Sequence, residues 1–163
     1  MFTQIGGHTV YCESRGDGAP AVVFIHGLGG SCSIWHAQAT ALSARHRTIV
    51  YDWAGSGCSS REPRLFTVDA WAEETVGLCK ALGIESAVFA GHSLGCAVAL
   101  TVAAANPQLA RGVALFGPVL KLPDAAVPVI LERAAKVRAE GMGPMADALP
   151  DSALAAVTRE SNP

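Results

Sequence analysis

Residues 91–95 read Gly-His-Ser-Leu-Gly and fit the pattern G-x-S-x-G. In that pattern a serine sits on a sharp turn between a strand and a helix, with its Oγ exposed. Gly91 and Gly95 let the chain turn tightly and let helix and strand approach closely. The helix that begins there points free N–H groups and its positive dipole end at the same spot. Ser93 is therefore the candidate nucleophile. A second glycine-rich stretch, "HGLGG" at 26–30, closes another apolar run. A loop opening at Gly27 can supply one backbone donor to a developing oxyanion, and the residue after the nucleophile supplies the other. These donors are the N–H groups of Leu28 and Leu94, each typically worth about 3–4 kcal/mol of transition-state stabilisation. The chemistry such a set performs is acyl transfer.

A serine nucleophile needs a base, and His92 is the last histidine in the sequence. It adjoins Ser93, so its ring is expected to project away from the Oγ. His26 borders the oxyanion loop, where a ring bonded to backbone is the expected state. His36 falls in a helix after that loop, while His8 and His46 fall toward the opposite ends of strands. The base is thus not expected among these five. Removing the histidine of such a triad costs about 10⁶ in rate and leaves roughly 10³–10⁴ over water. Asp52, in "DWAGSG", reads as a carboxylate that anchors a turn. The acids after Ser93 are Asp124, Glu132, Glu140, Asp147, Asp151 and Glu160, all in the last quarter of the chain.

The elements that must hold these residues follow from the apolar pattern. The runs 21–27, 47–55, 86–93 and 111–118 are nearly continuous, as strands buried on both faces of a parallel sheet are. The N-terminal 16 residues read as two short strands joined at Gly6-Gly7. Between strands lie helices. In 67–83, Val68, Trp71, Thr75, Leu78 and Leu82 share one face, Thr67 suits the N-cap, and Gly83 follows the end. The segment from Ser93 to Asn106 is helical and stops before Pro107. Alternating strands and helices predict an α/β fold with a mostly parallel, doubly wound sheet. From about residue 121 the rhythm becomes helical only: 124–141 with Gly141 as its stop, then shorter helices opening at Pro144 and at Asp151. Two regions result, 1–120 as core and 121–163 as a helical excursion.

Composition narrows the function classes. Half of the 163 residues are apolar and the net charge is −2, which gives no electrostatic footprint for nucleic acid or an anionic membrane. No apolar stretch approaches the roughly 20 residues that span a bilayer, and the N-terminus lacks the basic and apolar blocks of a secretory signal. The five cysteines are odd in number and scattered without a CxxC pair, so neither a disulfide framework nor a zinc site is expected. Buried or half-buried thiols in a reducing compartment, the cytoplasm, are the expectation.

The stretches "AVVFIHGLGGSCSIW", "IVYDWAGSGCSS" and "VFAGHSLGCAVAL" resemble the N-terminal part of the α/β-hydrolase family, in its order and at its spacing. The likeness covers residues 1–120, and 121–163 is similar to the start of the family's helical cap. Within the family the wording of that tail is most similar to capped hydrolases that include the 3-oxoadipate enol-lactonases. The resemblance implies a sheet truncated after about six strands and a serine hydrolase of carboxylic esters or lactones, with no metal or organic cofactor. It also implies a triad acid and histidine on later strands, which this sequence lacks. Trp53-Ala54 and Cys96 are lesser departures from the family pattern. Two alternatives stay open: a non-catalytic small-molecule binder on the same fold, and one chain of a two-chain hydrolase. An incomplete sheet would also leave an edge strand open to self-association or to a partner chain.

Overall fold

The structure, a computed structural model, describes residues 1–61, 66–119, 121–153 and 155–161. Strands β1 (Phe2–Ile5) and β2 (His8–Arg15) form a hairpin in which Ile5 faces His8 across the Gly6-Gly7 turn. The chain continues through β3 (Ala21–Ile25), a 3-10 turn at Cys32–Trp35 and α1 (His36–Leu42) into β4 (Thr48–Asp52). Next come α2 (Val68–Ala81), β5 (Ala87–His92), α3 (Leu94–Ala105) and β6 (Ala110–Phe116). The six strands make one sheet in the order β1-β2-β4-β3-β5-β6. Strands β4, β3, β5 and β6 run parallel, and the N-terminal hairpin adds antiparallel to β4. The expected α/β architecture, with a mostly parallel sheet, is the one observed.

Every residue of β3 and β4 is buried. Successive side chains of β3 alternate between two cores, as the period of a strand requires. Val22 and Phe24 pack with Trp35 and Ala39 beneath α1. Val23 and Ile25 pack with Ile49, Tyr51, Phe89, Leu78 and Val98 beneath α2 and α3. The sheet is therefore covered on both faces. Strand β4 lies to one side of β3 and β5 to the other, and the loops leaving β3 and β5 lead to helices on opposite faces, the switch point at whose carboxyl ends such sheets bind their ligands.

Helix α2 shows how local signals set the frame. Thr67 Oγ1 accepts from Ala70 N at 3.1 Å, and Asp69 and Lys80 sit at the dipole ends that suit their charges. The helix ends with Gly83 N donating to Lys80 O (3.2 Å) and Ile84 N to Cys79 O (2.8 Å), the paired bonds of a Schellman motif. Trp71, Thr75 and Leu78 are buried as their spacing predicts. Ala72, Glu74 and Cys79 are buried beside them.

Residues Met1–Leu120 form one compact unit and Lys121–Pro163 a second. The second consists of α4 (Ala126–Glu140), α5 (Gly143–Ala153) and α6 (Ala156–Ser161). Helix α4 buries none of its residues and stops at Gly141. Asp151 does not open a helix. It lies inside α5, and the third helix starts at Ala156. A capping side chain starts a helix only where the backbone before it is not already helical, and here α5 runs on from Gly143. Among the described residues no helix is long and apolar enough to cross a membrane.

Among the described residues no strand pairs with the outer edge of β6, and Val113 (39 % exposed) and Phe116 (49 %) lie open on it. Unpaired backbone groups beside apolar side chains are a template for another strand. The 163-residue chain is expected to self-associate in solution, and light scattering checks this. A sharp monomeric species at micromolar concentration would refute it.

Candidate active site

Ser93 follows the last residue of β5 and N-caps α3, with φ 52° and ψ −117°. It is the one non-glycine residue with positive φ among the described residues. A backbone held there costs roughly 1–3 kcal/mol, so its surroundings must enforce it. Two close approaches do so. A methyl on Gly91 would lie 2.4 Å from Gly95 O, and a methyl on Gly95 would lie 2.4 and 2.5 Å from the carbonyl oxygens of Ile25 and His26. The first turn of α3 thus rests directly on the end of β3, and no side chain fits at either position. The Ser93 amide is held in turn by Phe116 O at 2.9 Å. The Ser93 side chain makes no cap bond to its helix, so its Oγ is not committed to the fold.

The glycine-rich loop after β3 reaches the same place. A methyl on Gly27 would stand 3.2 Å from Ser93 Cβ and 3.0 Å from His92 Nδ1. Gly30 N bonds back to Gly27 O at 3.1 Å, a tight turn that carries Leu28, 74 % exposed, at its tip. Leu94 is the first residue of α3, where an N–H has no partner within the helix. Among the described residues neither the Leu28 N–H nor the Leu94 N–H meets an acceptor.

The loop leaving β4 locks this arrangement through two buried carboxylates. Asp52 Oδ1 accepts from Cys32 N (2.6 Å) and Oδ2 from Cys58 N (2.9 Å), while the Ser59 hydroxyl donates to the Asp52 carbonyl. Asp52 is thus the turn anchor that the sequence suggests. It joins the segments that follow β3 and β4. Gly57 packs so closely that a methyl there would lie 2.0 Å from Oδ2. Glu74 of α2 takes the Ala54 amide on Oε1 (3.0 Å) and His8 Nε2 on Oε2 (2.5 Å). Between the carboxylates Trp53 is buried, stacked on Trp71 at 4.5 Å with the His26 ring 4.3 Å away on a tilt. The Trp53-Ala54 step that departs from the family pattern is therefore the filling of this loop.

No histidine bonds to the Ser93 Oγ among the described residues. His8 belongs to Glu74, His36 to Glu13 (3.1 Å) and His46 to Pro20 O (3.0 Å). His92 is exposed, with its ring alongside Gly27. His26 is buried, and its Nδ1 meets Gly27 O at 2.8 Å, which requires that nitrogen to be the donor. Burial pushes its pKa below the usual value near 6.5, against the opposing pull of the Gly27 bond and the Asp52 charge. Sequence reasoning missed Glu74 and the Trp53–Trp71 stack. The only sequence signal was a glutamate three residues after Trp71, on the inward face of an amphipathic helix.

Two outcomes follow. The unfolded chain protonates His26 near pH 6.5 while the fold resists, so the full contribution holds above that pH and falls as the pH drops below it. Denaturant midpoints at pH 7.5 and 5.5 should show this loss, and a His26→Asn variant should show less of it. Asp52→Ala leaves a buried amide (Cys32) and a part-buried one (Cys58) without their charged acceptor and should cost roughly 2–3 kcal/mol. Denaturant unfolding measures that loss, and a cost below about 1 kcal/mol would refute the clamp.

The profile of the alpha/beta hydrolase fold family matches residues 20–158. The enol-lactonase of Burkholderia xenovorans LB400 is 30% identical with a TM-score of 0.91, over 100% of this chain and 63% of that one. A thermophilic esterase from Thermogutta terrifontis is 27% identical, also at 0.91, over 100% of this chain and 62% of that one. The 2-(acetamidomethylene)succinate hydrolase of Mesorhizobium japonicum is 32% identical over 110 residues, 68% of this chain and 39% of that protein. The chain spans less than half the length of the curated relatives it matches. With a strained serine between two glycines, a glycine loop facing it and a parallel sheet beneath, this chain belongs to the alpha/beta hydrolase fold family.

Proposed function

We propose that these residues carry the nucleophile and the oxyanion donors of a serine hydrolase that acts on a small carboxylic ester or lactone. The observation that carries the reading is the forced positive φ of Ser93, a strain of the kind that persists where a fold has a use for it. Ser93 Oγ attacks the substrate carbonyl carbon. Its proton passes to a histidine that lies outside this sequence, oriented by an acid from the same region. The carbonyl oxygen, now an oxyanion, takes the N–H groups of Leu28 and Leu94, with the positive end of α3 behind them. Collapse returns the proton to the leaving alcohol, and water then frees the acyl group from Ser93 by the same steps. Gly27, Gly91 and Gly95 set the distances. In a lactone the leaving alcohol stays tethered to the acyl group, so one product results. The five unpaired thiols support a reducing compartment, and we place the protein in the cytoplasm.

A second reading is favoured by the open edge of β6. In it a partner polypeptide adds the remaining strands and brings the acid and the base. Labelling with a fluorophosphonate in the native cell, followed by intact mass, separates the two. A labelled polypeptide well above 16.8 kDa, modified at Ser93, is the expected result. A labelled species of 16.8 kDa that copurifies with a second chain would favour the two-chain hydrolase. The isolated 163-residue chain should label at least about 10³-fold more slowly, for want of the base. Ser93→Ala should not label at all. A native protein that never labels, yet binds small molecules equally well as Ser93→Ala, would be a binding protein instead.

A further inference from the structure

On the face of the sheet that carries α1, three side chains of different chemistry meet, 23 residues apart along the chain at their extremes. They are Glu13 of β2, Cys32 of the 3-10 turn and His36 at the head of α1. One ligand atom from each, a carboxylate oxygen, the thiol sulfur and a ring nitrogen, lie within 4.8 Å of one another. Glu13 Oε1 is already 3.1 Å from His36 Nε2. Around a tetrahedral zinc ion, sulfur and nitrogen ligands stand about 3.5 Å apart, so closure asks for a contraction of about 1 Å. Glu13 and His36 are partly exposed and can make that movement. Cys32 is buried, and its backbone is fixed by the Asp52 clamp.

We infer that Glu13, Cys32 and His36 form a binding site for a thiophilic divalent cation of the zinc type, with a fourth position open to water. The mixed nitrogen, oxygen and sulfur donors match the preferences of zinc. The surroundings support the geometry. Tyr11 donates to Glu13 Oε1 (3.1 Å) and Arg15 to Oε2 (2.9 Å), so the carboxylate is oriented by outer partners, as ligating carboxylates are. Thr40 in turn holds the Arg15 guanidinium at 2.5 Å. Burial opposes ionisation of Glu13, but the bonds from Tyr11 and Arg15 outweigh it and keep its pKa below the usual value. The Cys32 thiol is pushed up to about 12 by burial first and then by the Asp52 carboxylate, with Glu13 adding to it. Two effects oppose binding: the Arg15 charge, and the thiol proton that must leave. The site does not involve Ser93, and its existence is independent of the hydrolase reading.

Cobalt(II) titrated into the purified protein is the test, since a thiolate ligand gives a sulfur-to-cobalt charge-transfer band. Saturable one-to-one binding with that band, reversed by added zinc, is the expected result. Cys32→Ser should abolish the band, while Cys58→Ser, which removes the exposed thiol on the next loop, should leave it. His36→Ala and Glu13→Gln should each weaken binding by at least about 10-fold. His36 is partly exposed at the start of a helix, so its variant keeps the test valid if Cys32→Ser fails to fold. No saturable binding, a band that survives Cys32→Ser, or a band lost with Cys58→Ser would overturn the inference.

Discussion

The first turn of α3 lies in backbone-to-backbone contact with the end of β3, and the geometry around Ser93 depends on that contact. Gly95 meets the carbonyl oxygens of Ile25 and His26, and Gly91 meets the backbone of Gly95 itself. With both contacts in place the chain has no room to pass from β5 into α3 gradually. It turns in one residue, and that residue takes the positive φ. The same closeness brings Gly27 against Ser93 Cβ, so the loop after β3 and Ser93 are positioned by one packing constraint. The cost of strain at Ser93 is met by the burial of β3 and β5, whose side chains are otherwise ordinary core.

Around this point the fold spends two buried carboxylates on holding loops. Asp52 and Glu74 are each 2 % exposed, and each binds a backbone amide of the loop after β4. Buried charges stabilise only when fully paired. Here the partners are amides of segments that would otherwise have no regular structure, plus His8 for Glu74. The cores above and below the sheet are generic in chemistry. The carboxylates are what makes the loops at the carboxyl ends of the strands specific. Trp53 fits between them because the indole N–H finds Ser56 Oγ at 2.7 Å and its faces find Trp71 and His26.

Local signals in the sequence were enough for the frame and for the sharp turn at Ser93. The pentapeptide around Ser93, the continuous apolar runs and the caps of α2 act over a few residues, and each produced the element expected of it. Interactions between distant residues were not legible. Glu74 stands 66 residues from His8 and 20 from Ala54, so its inward position on α2 does not by itself reveal the partners it clamps. On a helical face a glutamate reads as solvent-facing, and only the fold supplies the amide that pairs with it. Glu13, Cys32 and His36 are invisible for the same reason, since no short spacing joins them. Asp151 erred the other way: a good capping residue carried no weight where the helix was already under way.

The bond from the Ser93 amide to Phe116 O joins the one non-glycine residue with positive φ among the described residues to the edge strand β6. Trp35 reinforces the link by packing on both Phe24 of β3 and Phe116 of β6. Strand β6 is thus a lever as well as a border. A strand added along its outer side would bear on Phe116, and through one hydrogen bond on the turn that carries the serine. The stiffness of the turn at Ser93 is in this way tied to the rim of the sheet, far from the Oγ itself.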